Sequence, residues 1–194
     1  MIKIDLSKAY DRVSWLYLRM LLTHLGFCYE FVRWIMACIS TVNFAVLING
    51  AASPFFHAGR GLRQGCPLSP LLFLLVAEGL SRFMLVSKAE GSFRGIAISQ
   101  VLYITHLLFV DDILIFTNGS RQDMAKVAEG LSLVQAAAGM VVNIEKSTIS
   151  CSNLNEQETN RIALLLPYRI MELDVGIKYL GFFLKPNSYL KADW

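Results

Sequence analysis

His106-Leu107-Leu108-Phe109-Val110-Asp111-Asp112-Ile113-Leu114-Ile115-Phe116 decides how the rest of the chain is read. Two adjacent acids interrupt an apolar run that alternates poorly and reads as buried on both sides. Ionised carboxylates are costly to bury unless something positive pairs them. No Lys or Arg lies inside the run, so a bound divalent cation is the simplest partner, and that points to metal-dependent phosphate chemistry. A tight acidic turn between two strands has the same composition. The two readings are compatible, because a hairpin tip can carry ligands.

A second acid lies near the start, in Ile2-Lys3-Ile4-Asp5-Leu6-Ser7-Lys8-Ala9-Tyr10-Asp11-Arg12-Val13. Ile2, Ile4 and Leu6 alternate with Lys3 and Asp5, which predicts a strand with Asp5 on the face opposite the apolar side chains. Taken alone, Asp5 also fits an exposed strand acid. If that strand lies beside the hairpin, Asp5 and Asp111 converge. Two ions about 3.5–4 Å apart hold the attacking and leaving oxygens of an in-line phosphoryl transfer. Magnesium suits such a site, since it takes a few carboxylates plus substrate phosphates.

The third segment is Gly59-Arg60-Gly61-Leu62-Arg63-Gln64-Gly65-Cys66-Pro67-Leu68-Ser69-Pro70, a loop that feeds an apolar helix over 71–80. Ser69 reads as the N-cap and Pro70 as the first helical residue. Gly61 and Gly65 allow close backbone approach to a ligand. Arg60, Arg63 and the helix N-terminus suit phosphate. A plain loop capping a core helix is the competing reading.

These segments, in this order, resemble the palm of a reverse transcriptase, most of all that of plant-type non-LTR (LINE-like) retrotransposons, over nearly the whole chain. Residues 5–13 resemble the first palm motif, Gln64-Gly65 with Ser69-Pro70 the template and nucleotide loop, and Phe109-Val110-Asp111-Asp112 the aromatic-x-Asp-Asp hairpin. Asn143-Ile144-Glu145-Lys146-Ser147 fits the motif that follows, and Lys178-Tyr179-Leu180-Gly181 the late hairpin that steadies the primer end.

The resemblance implies an RNA-directed DNA polymerase working on an RNA template, a DNA primer and dNTP. It implies two Mg2+ ions, with Mn2+ as a substitute, held by Asp5 and Asp111 with Asp112 as a weaker third acid. Tyr10 is the aromatic that underlies the sugar and excludes a 2′-hydroxyl, with an ordinary packed Tyr as the alternative. Arg63, Gln64 and Gly65 fall in the substrate loop. Lys146 assists pyrophosphate departure or is a solvated surface lysine; Phe109 supports the primer or is core. Tyr179, Leu180 and Gly181 belong to the primer grip, about residues 177–185. The chain departs from the family pattern at Cys66, where an acid is usual, and at Val110, where the plant elements usually have Ala.

The fold so implied is α+β: one palm domain over residues 1–194, with an antiparallel sheet of three or four strands carrying Asp5 and the Asp-Asp hairpin and helices covering its other face. Fingers and thumb are expected to lie outside this chain, as are an endonuclease module and a Cys/His-rich tail. Two other outcomes stay open for such a chain: a catalytically idle retroelement remnant, and a palm-derived nucleic-acid-binding module.

Composition bears on partners. The 194 residues are 55% hydrophobic and 17% charged, with mean hydropathy +0.48. That is oily enough to leave docking faces exposed. A net charge of +3 predicts a weak grip on duplex, because affinity grows with the phosphates neutralised. No membrane partner is expected: the apolar run 67–80 is shorter than the roughly 20 residues of a span. Cys28, Cys38, Cys66 and Cys151 are scattered and suggest no disulfide framework. His24, His57 and His106 lack metal spacing. An intracellular setting fits, and the resemblance alone implies the nucleus.

Elsewhere the pattern predicts helices over 15–25 (cap Ser14, stop Gly26), 31–39 (Phe31, Trp34, Ile35 and Cys38 on one stripe), 125–138 (Val127, Leu131 and Val134 inward, ending at Gly139) and 155–166. Strands are expected at 45–49 and 55–58 about the Asn49-Gly50 turn, and at 148–151 and 177–180. Lys185, Lys191 and Asp193 read as a solvated tail.

Overall fold

Alternation in the first residues makes β1 (Ile2–Ile4): both isoleucines are fully buried on one face, and Lys3 lies on the other. The computed structural model describes residues 1–152 and 155–186. Lys8, at φ 49°, turns the chain out of β1 into a single helical turn, α1 (Ala9–Arg12). Then α2 (Trp15–His24) starts where Ser14 Oγ accepts the Tyr17 N–H, and it stops before Gly26 at φ 87°. The next helix, α3 (Tyr29–Ser40), turns a different face inward than its periodicity suggested. Val32 and Ile35 are buried, whereas Phe31, Trp34 and Cys38 are exposed. The Phe31 ring stacks instead on Phe27, with centroids 5.0 Å apart.

Asn49 and Gly50 both have positive φ, as a two-residue hairpin turn demands. The strands around them are two short ladders. With β2 (Asn43–Phe44), β3 (Leu47–Ile48), β4 (Ala51–Ala52) and β5 (Phe56–His57), β3 pairs β4 at the turn and β2 pairs β5 at the base. The hairpin leads into the loop and then α4 (Leu68–Ala89). This helix starts earlier than expected. Pro67 is its N-cap, and Ser69 lies inside the first turn, where its Oγ donates to the Arg63 carbonyl at 2.6 Å. At 22 residues α4 has the length and apolarity of a membrane span, which the 67–80 run lacked. Its packing makes it the central core helix: Leu72, Phe73, Val76, Leu80 and Met84 are all buried in one cluster with β1, α2 and α5 side chains.

The small hairpin β6 (Ile96–Ala97) and β7 (Tyr103–Ile104) precedes the acidic one, β8 (His106–Phe109) and β9 (Asp112–Ile115). Then α5 (Arg121–Ala138) runs from a Ser120 cap to Gly139 at φ 75°, one turn longer at its start than its apolar stripe indicated. It is followed by β10 (Thr148–Cys151), α6 (Glu156–Leu165) with an Asn155–Glu158 capping box, β11 (Arg169–Glu172), a 3-10 turn (Leu173–Val175), and the hairpin β12 (Ile177–Tyr179) and β13 (Phe182–Leu184). Lys191 and Asp193 lie outside the described residues.

Among the described residues the central sheet has five strands in the order β11-β10-β1-β9-β8. It corrects the sequence reading twice. The sheet is not wholly antiparallel: β10 and β11 are parallel, joined through α6, because a parallel neighbour needs a crossover. And β8 is an edge strand, so Leu107 and Phe109 are exposed, and only Ile113-Leu114-Ile115 is fully buried. The fold class remains α+β, with β1 between the strands that matter: β9 on one side and β10 on the other.

One buried acid went unnoticed in the sequence. Asp123, in the first turn of α5, is 2% exposed. Its Oδ1 accepts the Arg94 N–H at 3.2 Å; its Oδ2 accepts the Gly95 N–H at 3.3 Å, the Thr117 hydroxyl at 3.3 Å and the Asn118 N–H at 3.5 Å. The carboxylate thus pins the approach to β6 and the exit of β9 to α5.

Candidate active site

The β1–β9 register pairs Ile4 with Ile113, so Asp5 stands one step beyond the last pair, beside Asp112 at the head of β9. Phe109 pairs Asp112, which leaves Val110-Asp111 as the two-residue tip of the hairpin. Asp5 is half-buried and Asp111 exposed. The Asp5 backbone is held from the other side. Its N–H donates to Ser147 Oγ at 3.1 Å, and its carbonyl accepts the Asn143 N–H at 2.8 Å. Ser147 is fully buried and donates its own N–H to the Asn143 carbonyl at 2.9 Å. The Asn-x-x-Lys-Ser segment therefore acts as a backbone clamp on Asp5. Sequence reasoning singled out Lys146 there and passed over Ser147. The Lys146 side chain is exposed, and only its N–H is engaged, by Asn143 Oδ1 at 3.3 Å.

The three acids differ in their partners. The Asp5 and Asp111 carboxylates make no hydrogen bond or ion pair with the described residues. Asp112 does: Lys3 Nζ lies 3.7 Å from its Oδ1. For Asp112, the positive partner missing from the 106–116 run comes from the neighbouring strand, whereas the run alone makes a bound cation the simplest expectation. Among the described residues no three Asp, Glu, His or Cys side chains close into a metal cage. The oxygen-only set of Asp5 and Asp111, with neither carboxylate spent on the protein, fits magnesium, which completes its shell with water and substrate phosphates. Val110 sits at φ 54°, a conformation costly for a β-branched residue. The departure noted at this position thus falls at the tip itself.

Opposite the tip, the Tyr10 ring stacks on Phe73 at 4.8 Å and 13°. Burial, and then the Asp111 carboxylate, push the Tyr10 phenol above its usual pKa, so it stays protonated. Tyr10 and Asp111 share a cavity of about 550 Å³ with Gln64, Gly65, Cys66, Pro67, Ser69 and Pro70. The loop is fastened to the first motif: Gly61 N–H to Val13 O (2.8 Å), Leu62 N–H to Tyr10 O (2.8 Å) and Trp15 Nε1–H to Gly61 O (2.7 Å). A Cβ on Gly61, at φ 91°, would lie 2.6 Å from the Asp11 carbonyl oxygen. The close approach at Gly61 is therefore to the chain itself and not to a ligand. Gly65, at φ 80° with nothing nearby, faces open space. Arg60 and Arg63 are exposed and line a second cavity of about 760 Å³, with Phe44, Phe56 and Trp15. Gln64 and Cys66 border both cavities.

The late hairpin is tied to the strand that leads to Asp5. Its tip, Leu180-Gly181, has positive φ at both residues. Lys3 Nζ donates to the Lys178 carbonyl at 2.8 Å. Burial, then the Asp112 carboxylate, raise the Tyr179 phenol pKa. Phe109 is 55% exposed on the edge strand, so it is no core residue. His106 is packed: its ring nitrogens meet Thr105 Oγ1 at 2.9 Å and Ser81 Oγ at 3.0 Å, and burial lowers its pKa.

Known proteins resemble this chain in sequence and in fold. A transposon TX1 protein of Xenopus laevis is 27% identical over 97% of this chain, and the R2 retrotransposable-element Pol polyprotein of Popillia japonica is 24% identical over 100% of this chain. An uncharacterized mitochondrial protein of Arabidopsis thaliana is 46% identical over 34% of the chain. The chain spans 14%, 33% and 55% of those relatives, respectively. Among solved structures, telomerase from Candida albicans superposes with a TM-score of 0.60 at 16% identity, over 81% of this chain and 28% of that one. Truncated apo telomerase from Candida tropicalis gives 0.58 at 19%, over 75% and 29%. These likenesses show the polymerase-palm fold. Residues 1–184 match the reverse transcriptase (RNA-dependent DNA polymerase) family, and the chain belongs to it.

Proposed function

We propose that this chain is the palm of a retrotransposon RNA-directed DNA polymerase, with the hairpin at about 177–185 as its primer grip, acting in the nucleus within a longer protein. The observation that carries this reading is the cavity walled by Asp111 and Tyr10 on one side and Gln64 to Pro67 on the other. Asp111, Gln64 and Ser69 line it with polar side chains, and Tyr10, stacked on Phe73, gives it an aromatic wall, a combination that suits a nucleoside triphosphate.

In this reading the primer 3′-hydroxyl attacks the α-phosphate of a dNTP and pyrophosphate leaves. Magnesium bound by Asp5 and Asp111 would neutralise phosphate charge and favour the deprotonated hydroxyl. The chain's own contribution is placement. Asn143 and Ser147 hold Asp5 by its backbone, and β9 holds the hairpin tip in register beside it. Gly65 leaves the loop backbone open to the triphosphate, with Gln64 beside it. Arg63, exposed in the same loop, meets phosphate, and Phe109 with the Tyr179-Leu180-Gly181 turn supports the primer. Lys146 is an outlying charge for the departing pyrophosphate. Positioning of this kind supplies much of the barrier lowering in phosphoryl transfer.

Primer extension tests the reading. On an annealed RNA template and DNA primer at saturating concentration, with Mg2+ or Mn2+, the protein should add nucleotides to the primer. No addition with either ion, while the duplex is bound, would overturn it. Tyr10 carries a sharper expectation. Tyr10→Ala should raise ribonucleotide incorporation relative to dNTP by about 10- to 100-fold, the range set by one small group in a close pocket. An unchanged ratio would return Tyr10 to a packing role.

A further inference from the structure

Lys3 joins two parts of the site that the strand order keeps separate. It lies on the face of β1 opposite Ile2 and Ile4, 20% exposed at its side chain. An ammonium has three donors and no acceptor. One goes to the Lys178 carbonyl at 2.8 Å, and the charge lies 3.7 Å from Asp112 Oδ1. Asp112 begins β9, in the central sheet, whereas Lys178 is in the separate two-stranded sheet of β12 and β13. A single side chain on the strand that leads to Asp5 thus reaches both the acidic hairpin and the late hairpin. On the late hairpin, Tyr179 is next to Lys178 and already senses the Asp112 charge.

We infer that Lys3 is a positioning residue that fixes the late hairpin relative to the Asp111-Asp112 tip, and so sets where a primer 3′ end meets the acids. The inference rests on the polymerase reading for its purpose, but not for the clamp itself. Lys3 has a second consequence. By part-neutralising Asp112 it leaves Asp5 and Asp111 as the carboxylates with uncommitted charge. Small misplacements at a reacting centre cost rate steeply, on the order of a hundredfold for about 1 Å.

The test compares Lys3→Met, which keeps the apolar stem and removes donor and charge, with Lys3→Arg, which keeps both. In protein free of metal and nucleic acid, amide exchange across 177–184 should quicken by at least about tenfold in Lys3→Met, while 112–115 and 121–138 keep their protection. Lys3→Arg should restore it. In primer extension, Lys3→Met should lower kcat by about 10- to 100-fold with KM for dNTP changed by less than about threefold. Unchanged exchange at the hairpin overturns the clamp whatever extension shows. A loosened hairpin with unchanged kcat overturns its role in primer placement. If the wild type extends no primer, the polymerase reading falls with the primer role, and exchange still decides the clamp.

Discussion

Asp111→Asn is expected to lower nucleotide addition by about a thousandfold or more, with the fold unchanged. The substitution is nearly isosteric. Asp111 is exposed at a hairpin tip and spends its carboxylate on no hydrogen bond or ion pair among the described residues, so folding loses nothing by its neutralisation. Surface changes of that kind stay within about 0.5 kcal/mol. Chemistry loses the charge that faces the cavity shared with Tyr10. Asp112→Asn is the instructive contrast. That carboxylate already has Lys3 beside it, so its loss should cost less activity than loss of Asp111. Single-turnover primer extension beside a thermal melt reads both quantities. A larger loss at Asp112 than at Asp111 would invert the assignment.

Asp123→Ala should unfold the protein more easily by about 3 kcal/mol, the cost of stranding four donors of one carboxylate, two of them (the Gly95 N–H and the Thr117 hydroxyl) in buried bonds. The donors left behind are the N–H groups of Arg94, Gly95 and Asn118 and the Thr117 hydroxyl. Their bonds share one carboxylate, so their worths do not add. At roughly 2–4 °C per kcal/mol for a chain of this size, Tm should fall by about 6–12 °C. Urea or thermal unfolding checks it; a loss under about 1 kcal/mol would show that water replaces the carboxylate freely.

What the sequence made legible follows from period and punctuation. Ile2 and Ile4 could be buried together only in a strand, and the Ser14 cap and Gly139 stop marked helix ends that the structure keeps. The strand carrying Asp5 does lie against the hairpin carrying Asp111, as its alternation allowed. What stayed hidden depends on neighbours remote in sequence. The inward face of α3 is set by which side meets α2, so Ile35 was identified and Trp34 misjudged. β11 is a short parallel edge strand after Pro167, with exposed ends and no alternation to announce it. Ser69 looked like a cap because a Pro follows it, yet the Arg63 carbonyl claims its hydroxyl. Lys3 and Ser147 are ordinary residues in the chain, and only the register puts one beside Asp112 and the other under Asp5. Asp123 was invisible for the same reason, since its four donors come from residues 94–95 and 117–118.

In the proposed function, two carboxylates more than a hundred residues apart in sequence share a cation with the incoming nucleotide. Manganese titration followed by electron paramagnetic resonance, with primer–template and a non-hydrolysable dNTP present, addresses it without turnover. Asp5→Asn and Asp111→Asn should each weaken manganese binding by at least about tenfold, and the double variant should be little worse than either single one, as expected for ligands that act together. Wild-type manganese affinity in either single variant would contradict the account.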